Sequence, residues 1–272
     1  MNCRTTSLER QPGLAFDTIA EQYDDIFTHS LIGRAQRDAV WHVLKQTFRA
    51  GDHILELNCG TGEDALFLAQ MGVSVFACDV SEKMIAVAAR RIAKEPRGAQ
   101  VHLEVRPTEQ IDGLRNSPFD GAFSNFSGLN CVIDLAQTAR QLAALVKPRG
   151  RLVLCLSTRF CLWETLWYLA HHDLTRAARR WRGKTSASLG DIALEIRYPT
   201  MRDMRKLFAP AFSLRRYKGI GVAVPPSYVE HLAAKYPRAL KGLQAIDRAI
   251  ATWPGYRAVG DHMLLVLERN KA

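Results

Sequence analysis

The sequence predicts an α/β fold in which a parallel sheet carries helices on both faces. Three observations predict it. Between residues 51 and 157 short apolar runs (53–57, 73–78, 101–105, 120–124 and 151–157) alternate with amphipathic stretches, the pattern of strands joined by right-handed helical crossovers. The first run ends in Glu56-Leu57-Asn58-Cys59-Gly60-Thr61-Gly62 and passes straight into a helical run, so a glycine turn faces the free N–H groups of a helix start. The second run ends at Asp79, seventeen residues beyond Gly62. Such sheets hold an adenosine in this way, with backbone against one end and a carboxylate on the ribose hydroxyls.

Taken in order, residues 1–13 are polar, contain Pro12 and Gly13, and read as a loose tail. Phe16, Ala20 and Tyr23 follow at helical spacing, with Asp17 and Asp24 beside them. A second helix over 34–48 sets Val40, Trp41, Leu44 and Phe48 at intervals near 3.6 and ends at Arg49-Ala50-Gly51-Asp52. The connections between strands are helices over 64–71, 81–94 and 133–146 and a short turn at 109–114. Ser81 is a good N-cap for the second of these. Pro148-Arg149-Gly150 closes the last. Ligands of such sheets bind beyond the carboxyl ends of the strands, so the strand-end residues are the candidates.

Gly60-x-Gly62-x-x-Ala65 also matches a dinucleotide fingerprint. Glu56 separates the two ligands. A pyrophosphate beside that carboxylate would be strongly repelled at low dielectric. The ammonium and sulfonium of S-adenosylmethionine are positive there, so the carboxylate favours the methyl donor.

Glu56-Leu-Asn-Cys-Gly-Thr-Gly62 resembles the first motif of the Rossmann-like, class I S-adenosylmethionine-dependent methyltransferases, and Asp79-Val-Ser-Glu-Lys-Met84 resembles their second-strand acid with the run behind it. The likeness covers about residues 16–157 well and the rest loosely. Asn58 departs from it, standing where the family often has its first glycine, and asparagine tolerates left-handed backbone. The resemblance implies a three-layer sandwich with a seven-stranded, mostly parallel sheet and helical lid insertions. It implies S-adenosylmethionine as cofactor, with S-adenosylhomocysteine as product, and a donor site built from Glu56, Asn58, Cys59, Gly60, Gly62, Asp79, Val80 and Met84. By the same likeness, Phe16-Asp17-x-x-Ala20-x-x-Tyr23-Asp24 lies across the donor pocket with Tyr23 toward the methyl side. Thr108 and Glu109 flank the adenine, although Pro107 replaces the family's usual Asp. Asn125 and Phe126 line the methionine end and the acceptor entrance. Cys59 is then pocket wall and not a nucleophile.

The implied organisation is an N-terminal helical lid (1–50), a donor-binding core (51–157), a helical acceptor insertion (158–200), and completion of the sheet (201–272) interrupted by helices at about 225–258. In the first insertion Trp163, Leu166, Trp167 and Ala170 fall on one stripe, and a second helix over 173–182 sets Leu174, Ala177, Ala178 and Trp181 opposite its arginines. Such a stripe suits core packing or an interfacial helix touching membrane or a lipophilic substrate through 161–182. Residues 183–190 read as a mobile polar stretch. Strands over 192–198, 212–218 and 262–268 and a helix over 201–208 complete the pattern. Both insertions are expected over the donor site.

The chain has 272 residues, 47% hydrophobic content and a formal charge of +10. No signal peptide or apolar run of membrane-spanning length is legible, which predicts a cytoplasmic protein. Six cysteines without C-x-x-C spacing read as reduced core thiols. No His, Asp or Cys cluster has metal-ligand spacing. The arginine-rich 176–184 cluster suits a solvated helix face or a binding surface.

The leading reading is in-line methyl transfer to a small, apolar or lipid-like acceptor. One alternative is an RNA or protein methyltransferase that sets the 176–184 cluster on phosphates. Nucleic acid is disfavoured, because Asn125-Phe126-Ser127-Gly128 stands where amino-group methylation of bases uses an Asn/Asp-Pro-Pro-Tyr run. Another alternative is a non-catalytic donor-binding protein. His171, His172, His231, His262, Glu164 and Tyr228 are candidate bases, and none lies in a motif that assigns it a role.

Overall fold

The computed structural model describes residues 11–114 and 118–271. Its nine strands are β1 (His53–Leu57), β2 (Ser74–Asp79), β3 (Val101–Val105), β4 (Phe119–Ser124), β5 (Val146–Ser157), β6 (Lys184–Leu189), β7 (Ile192–Arg197), β8 (Phe212–Ile220) and β9 (His262–Arg269). Seven form one sheet in the order β3-β2-β1-β4-β5-β9-β8, while β6 and β7 make a separate hairpin. The first five pair in parallel, and β9 runs antiparallel to both β5 and β8. The strand order reverses at β1, which lies between β2 and β4, and a ligand crevice opens beyond such a reversal.

Side chains alternate across the sheet, so neighbouring residues serve opposite cores. On one face α1 (Leu31–Thr47) and α2 (Glu63–Gln70) bury Val40, Leu44 and Leu68 against Ile54, Val75, Phe123 and Leu264, with Ile85 of α3 (Glu82–Ile92) at the margin. On the other, α4 (Leu135–Leu145) and α7 (Met201–Phe208) bury Leu142 and Phe208 against Leu55, Leu57, Leu154 and Leu265. Ser81 accepts a hydrogen bond from the Met84 N–H and caps α3.

Six expectations need correction. Of the expected loose tail, 1–13, residues 1–10 lie outside the described residues and 11–13 belong to a helical stretch over 11–17. Residues 16–24 do not continue as one helix: turns follow, then a π-helical turn, Asp24–Thr28. Pro148-Arg-Gly150 does not close α4, which ends at Leu145; it lies in the opening of β5, where the pairing with β4 shifts register. The polar 183–190 stretch is β6, and it was hidden because its residues are only half-buried at alternate positions and β7 supplies the apolar partners. The expected helix over 173–182 is one α turn, α6 (Leu174–Ala177), followed by a 3-10 turn. In α5 (Leu162–Ala170) the buried residue is Glu164, while Leu166 of the predicted stripe is exposed.

The second insertion forms α8 (Glu230–Lys235) and α9 (Pro237–Ile250), which bury Val229, Ala233 and Leu240 against Ile32 and Ala35 of α1. The Glu230 carboxylate accepts the Leu31 and Ile32 N–H groups and so caps α1 from a distance of 199 residues in sequence. No helix of the described residues is long and apolar enough to cross a membrane.

Candidate functional site

The β1–α2 turn is left-handed at Asn58 (φ 55°), Gly60 (φ 54°) and Gly62 (φ 76°). The two glycines do different work. A Cβ on Gly62 would lie 2.9 Å from Ala88 Cβ, so this glycine lets α2 approach α3. A Cβ on Gly60 would meet nothing within 4 Å, and the backbone there is open to a ligand. Asn58 holds its strained position through its side chain, donating to Thr108 Oγ1 (3.0 Å) and accepting from Ser124 Oγ (3.2 Å).

Asp79 braces the turn from the next strand. Its two carboxylate oxygens accept the N–H groups of Gly60 and Ser81, each at 2.9 Å. Burial raises its pKa, and those backbone bonds oppose the rise. One lone pair on each oxygen stays available to a hydroxyl.

A cavity opens beyond this turn, with about 660 Å³ of space that includes its solvent-filled mouth. Tyr23, Asn58, Cys59, Gly60 and Asp79 line it, as do Val80, Met84, Asn125 and Phe126. Four of the sequence candidates do not. Gly62 faces α3. Thr108 is tied to Asn58 behind the turn, and Glu109 accepts the Ile133 N–H. Glu56 alternates with Leu55 and Leu57 onto the α1–α2 face of the sheet, 1% exposed, with Oε2 unpartnered among the described residues. Burial pushes its pKa well above the carboxylate range, Asp64 and Asp79 push it further, and Arg37 opposes them.

Sequence reasoning missed Arg37 and Asp64. Asp64 accepts from Arg37 Nη1, from Trp41 Nε1 (2.6 Å) and from Asn125 Nδ2 (2.9 Å), and both it and Arg37 line the cavity. Arg37 is buried and its Nε has no partner among the described residues. The available signal was a charge on the apolar stripe of a helix, since Arg37, Val40 and Leu44 share one face of α1.

The two aspartates of the Phe16–Asp24 motif latch it over the cavity. Asp17 accepts from Ser81 Oγ (2.5 Å) and the Lys83 N–H (3.0 Å). Asp24 accepts from Thr61 Oγ1 (2.7 Å) and Arg91 Nη2 (2.6 Å). Pro12 and Phe16 line the cavity with Tyr23, whose hydroxyl is pushed up to about 12 chiefly by burial. Burial likewise raises Cys59 well above its ordinary value, which leaves it a thiol and a poor nucleophile.

Beyond β4, Phe126 (φ 42°) and Ser127 (φ 71°) are both left-handed, an uncommon state for a bulky residue and one that marks functional loops. Phe126 stands edge-on between Phe27 (ring centroids 4.9 Å apart) and His262 (5.4 Å). His262 is buried beside Asp261, Nδ1 to Oδ2 3.5 Å. Asp261 also accepts from Arg180 Nη2 (2.9 Å), and Arg180 donates Nε to Glu164 (3.0 Å). Glu164 is thus committed to arginines, while His171, His172 and His231 are exposed. No residue of 158–200 or 225–258 lines this cavity, contrary to expectation.

Residues 54–150 match a family model described as a methyltransferase domain. A demethylmenaquinone methyltransferase of Symbiobacterium thermophilum is 31% identical over 183 residues, 61% of this chain and 70% of that protein. A ubiquinone/menaquinone biosynthesis C-methyltransferase of Geotalea uraniireducens is 29% identical over 162 residues, covering 56% of this chain and 66% of its own length. The cyclase SpnF has the same fold, with a TM-score of 0.64, 16% identity and 97% of each chain covered. A fold shared with a cyclase does not define a reaction, but the sequence match does define a lineage: the chain belongs to the class I, Rossmann-like S-adenosylmethionine-dependent methyltransferases.

Proposed function

We propose that this methyltransferase acts on a small, apolar, quinone-type ring. The observation that carries the reading is the 31% identity to a demethylmenaquinone methyltransferase over 70% of that protein. Phe126, projected by strained backbone at the cavity wall, supports it as a surface for a flat apolar acceptor.

When bound, the donor supplies an electrophilic methyl group on a sulfonium. In this reading Asp79 takes the ribose hydroxyls on its remaining lone pairs, and Val80 and Met84 wall the adenine. The Arg37 Nε, unpartnered among the described residues, would hold the methionine carboxylate and Asp64 would favour the ammonium, with Glu56 buried behind the lining. Asn125 positions this end by holding Asp64. Tyr23 and Phe16 exclude water from above.

A ring carbon or oxygen attacking the methyl group must lose a proton. We assign that proton to His262. Burial lowers the pKa of its ring and Arg180 adds to this, while Asp261 pulls the other way, so the imidazole is neutral and able to accept at pH 7. Asp261 lies 3.5 Å from its Nδ1 without a hydrogen bond, and the ring meets the cavity wall at Phe126.

The test is S-adenosylhomocysteine release in the presence of a reduced naphthoquinol lacking the ring methyl, set beside RNA and peptide acceptors. Turnover with RNA or peptide and none with any quinol would overturn the reading. The state of the 176–184 cluster disfavours RNA, since Arg179 and Arg180 turn inward to Glu164.

A further inference from the structure

The helix α5 is built inside out. Its one carboxylate, Glu164, is 2% exposed, whereas Leu162, Leu166 and Leu169 are 45%, 52% and 43% exposed. Those three leucines recur at i, i+4 and i+7 and form one ridge on the outer face. The inner side explains the orientation. Arg179 donates Nε (2.7 Å) and Nη2 (2.9 Å) to Glu164, and Arg180 bridges Glu164 to Asp261 at the start of β9. Trp163 Nε1 donates to the Ala223 carbonyl, and Trp167 packs on Tyr228. The helix is therefore pinned with its leucines outward, and it cannot roll to hide them without stranding a buried carboxylate.

The apolar surface continues into neighbouring segments. Leu174 is 70% exposed. Phe160 and Trp181 are both exposed, with ring centroids 6.3 Å apart. Cations flank them: Arg176 and Arg182 are exposed, and the Lys184 side chain is 68% exposed. Arg176 holds Asp173 at 3.4 Å and Lys184 holds Glu195 at 3.2 Å. Residues 158–184 carry six lysines and arginines against two carboxylates, and residues 225–258 carry five against two.

We propose that the α5–β6 segment, Phe160 to Lys184, docks this chain on an anionic lipid bilayer, leucines and tryptophan in the acyl boundary and cations at the headgroups. Leucines and an aromatic pair beside basic side chains are what an interfacial helix presents. The charge selects the occupant. A second copy of this chain would bring the same cationic surface and be repelled, and a polynucleotide would leave the leucine ridge in water. An anionic headgroup layer satisfies both halves of the surface. Methylation of a quinone is not required for this inference, which stands on the exposed ridge and the cations beside it.

The test uses the full chain and vesicles of phosphatidylglycerol with phosphatidylcholine, set against phosphatidylcholine alone, read by co-sedimentation and by quenching of tryptophan with brominated lipid. Binding to the anionic vesicles is expected to be about tenfold tighter or more. L166E/L169E should lose it, while its S-adenosylhomocysteine affinity and melting temperature match the unsubstituted chain. R182E should weaken binding to anionic vesicles only. Absence of binding to anionic vesicles by a chain that still binds S-adenosylhomocysteine would overturn the proposal and leave the methyltransferase reading intact. Equal binding to both vesicle types, undiminished binding by L166E/L169E, or a dimer in ultracentrifugation that the same pair dissolves would overturn it as well.

Discussion

The glycine turn and the contact between α5 and β9 bury charge in different ways. At the turn Asp79 is held by backbone, the Gly60 and Ser81 N–H groups. Between α5 and β9 charges hold one another, in the chain Glu164–Arg180–Asp261, and leucines take the outer surface of α5. Backbone donors come with the fold and make a rigid cradle. A side-chain ion network depends on every member, because removing one strands the rest. The turn should therefore tolerate substitutions locally, while the ion network should fail as a unit.

The largest expected effect lies where the ion network meets Phe126 of the cavity wall, at His262. His262→Asn should lower kcat by about 10²–10⁴-fold, the scale of a lost general base, and leave calorimetric donor affinity unchanged. The pH profile separates a base from a merely packed ring. Burial lowers the His262 pKa, so activity should hold below the ordinary histidine range and fall only on further acidification, and the Asn variant should lack that limb. Stability follows the same sign: the unfolded chain binds the proton first, so the folded chain loses stability as pH falls through that range. A variant with full kcat would move the base elsewhere, with Tyr228 the next candidate.

Glu164→Ala sharpens the contrast by breaking the ion network alone. It leaves Arg179 without its carboxylate and Arg180 with only Asp261, and should cost about 3–5 kcal/mol in denaturant unfolding. Hydrogen exchange should rise across 162–184 and stay slow in β1, β2 and β4. Equal deprotection of both regions would mean that the two are one cooperative unit.

This contrast also explains how far the sequence could be read. The strands, the glycine turn and Asp79 were legible because each is a local pattern: apolar period, left-handed residues, a carboxylate at a strand end. Arg37, Glu164 and Asp261 were not. Each is a charge among apolar neighbours whose partner lies far along the chain, as Asp261 lies 81 residues from Arg180, and periodicity places such a residue on a face without saying what waits there. The stripe of α5 could be read inward or toward an interface, and it is the buried ion network at Glu164 that turns Leu162, Leu166 and Leu169 outward. β6 was missed because its apolar face belongs to its partner strand.

Asp79→Asn tests the cradle with the smallest chemical change. One amide oxygen keeps one backbone N–H while the NH2 faces the other donor, which should cost about 1–3 kcal/mol of stability, and the ribose loses a charged acceptor. Donor affinity should fall by about 1.5–3 kcal/mol, the scale of a hydrogen bond to a charged group. Unchanged calorimetric affinity would remove Asp79 from the donor site and leave it as a brace for Gly60 and Ser81.

The smallest effect is a slope. Glu56 is buried with one unpartnered oxygen, and burial, Asp64 and Asp79 hold its pKa well above the carboxylate range. The free chain is therefore penalised as pH rises through that raised pKa, where the carboxyl is forced to ionise. A donor that is positive beside it favours the ionised form, so binding below that pKa must expel a proton. Affinity should climb with pH, by at most about tenfold per unit, and flatten once Glu56 is ionised in the free chain. Glu56→Gln should abolish the climb. Calorimetry in two buffers of different ionisation enthalpy reads the proton directly: the apparent heats should differ between buffers for the unsubstituted chain and coincide for the Gln variant. Coinciding heats in both chains would mean that Glu56 does not sense the donor, and the choice of a cationic ligand would then rest on Asp64 alone.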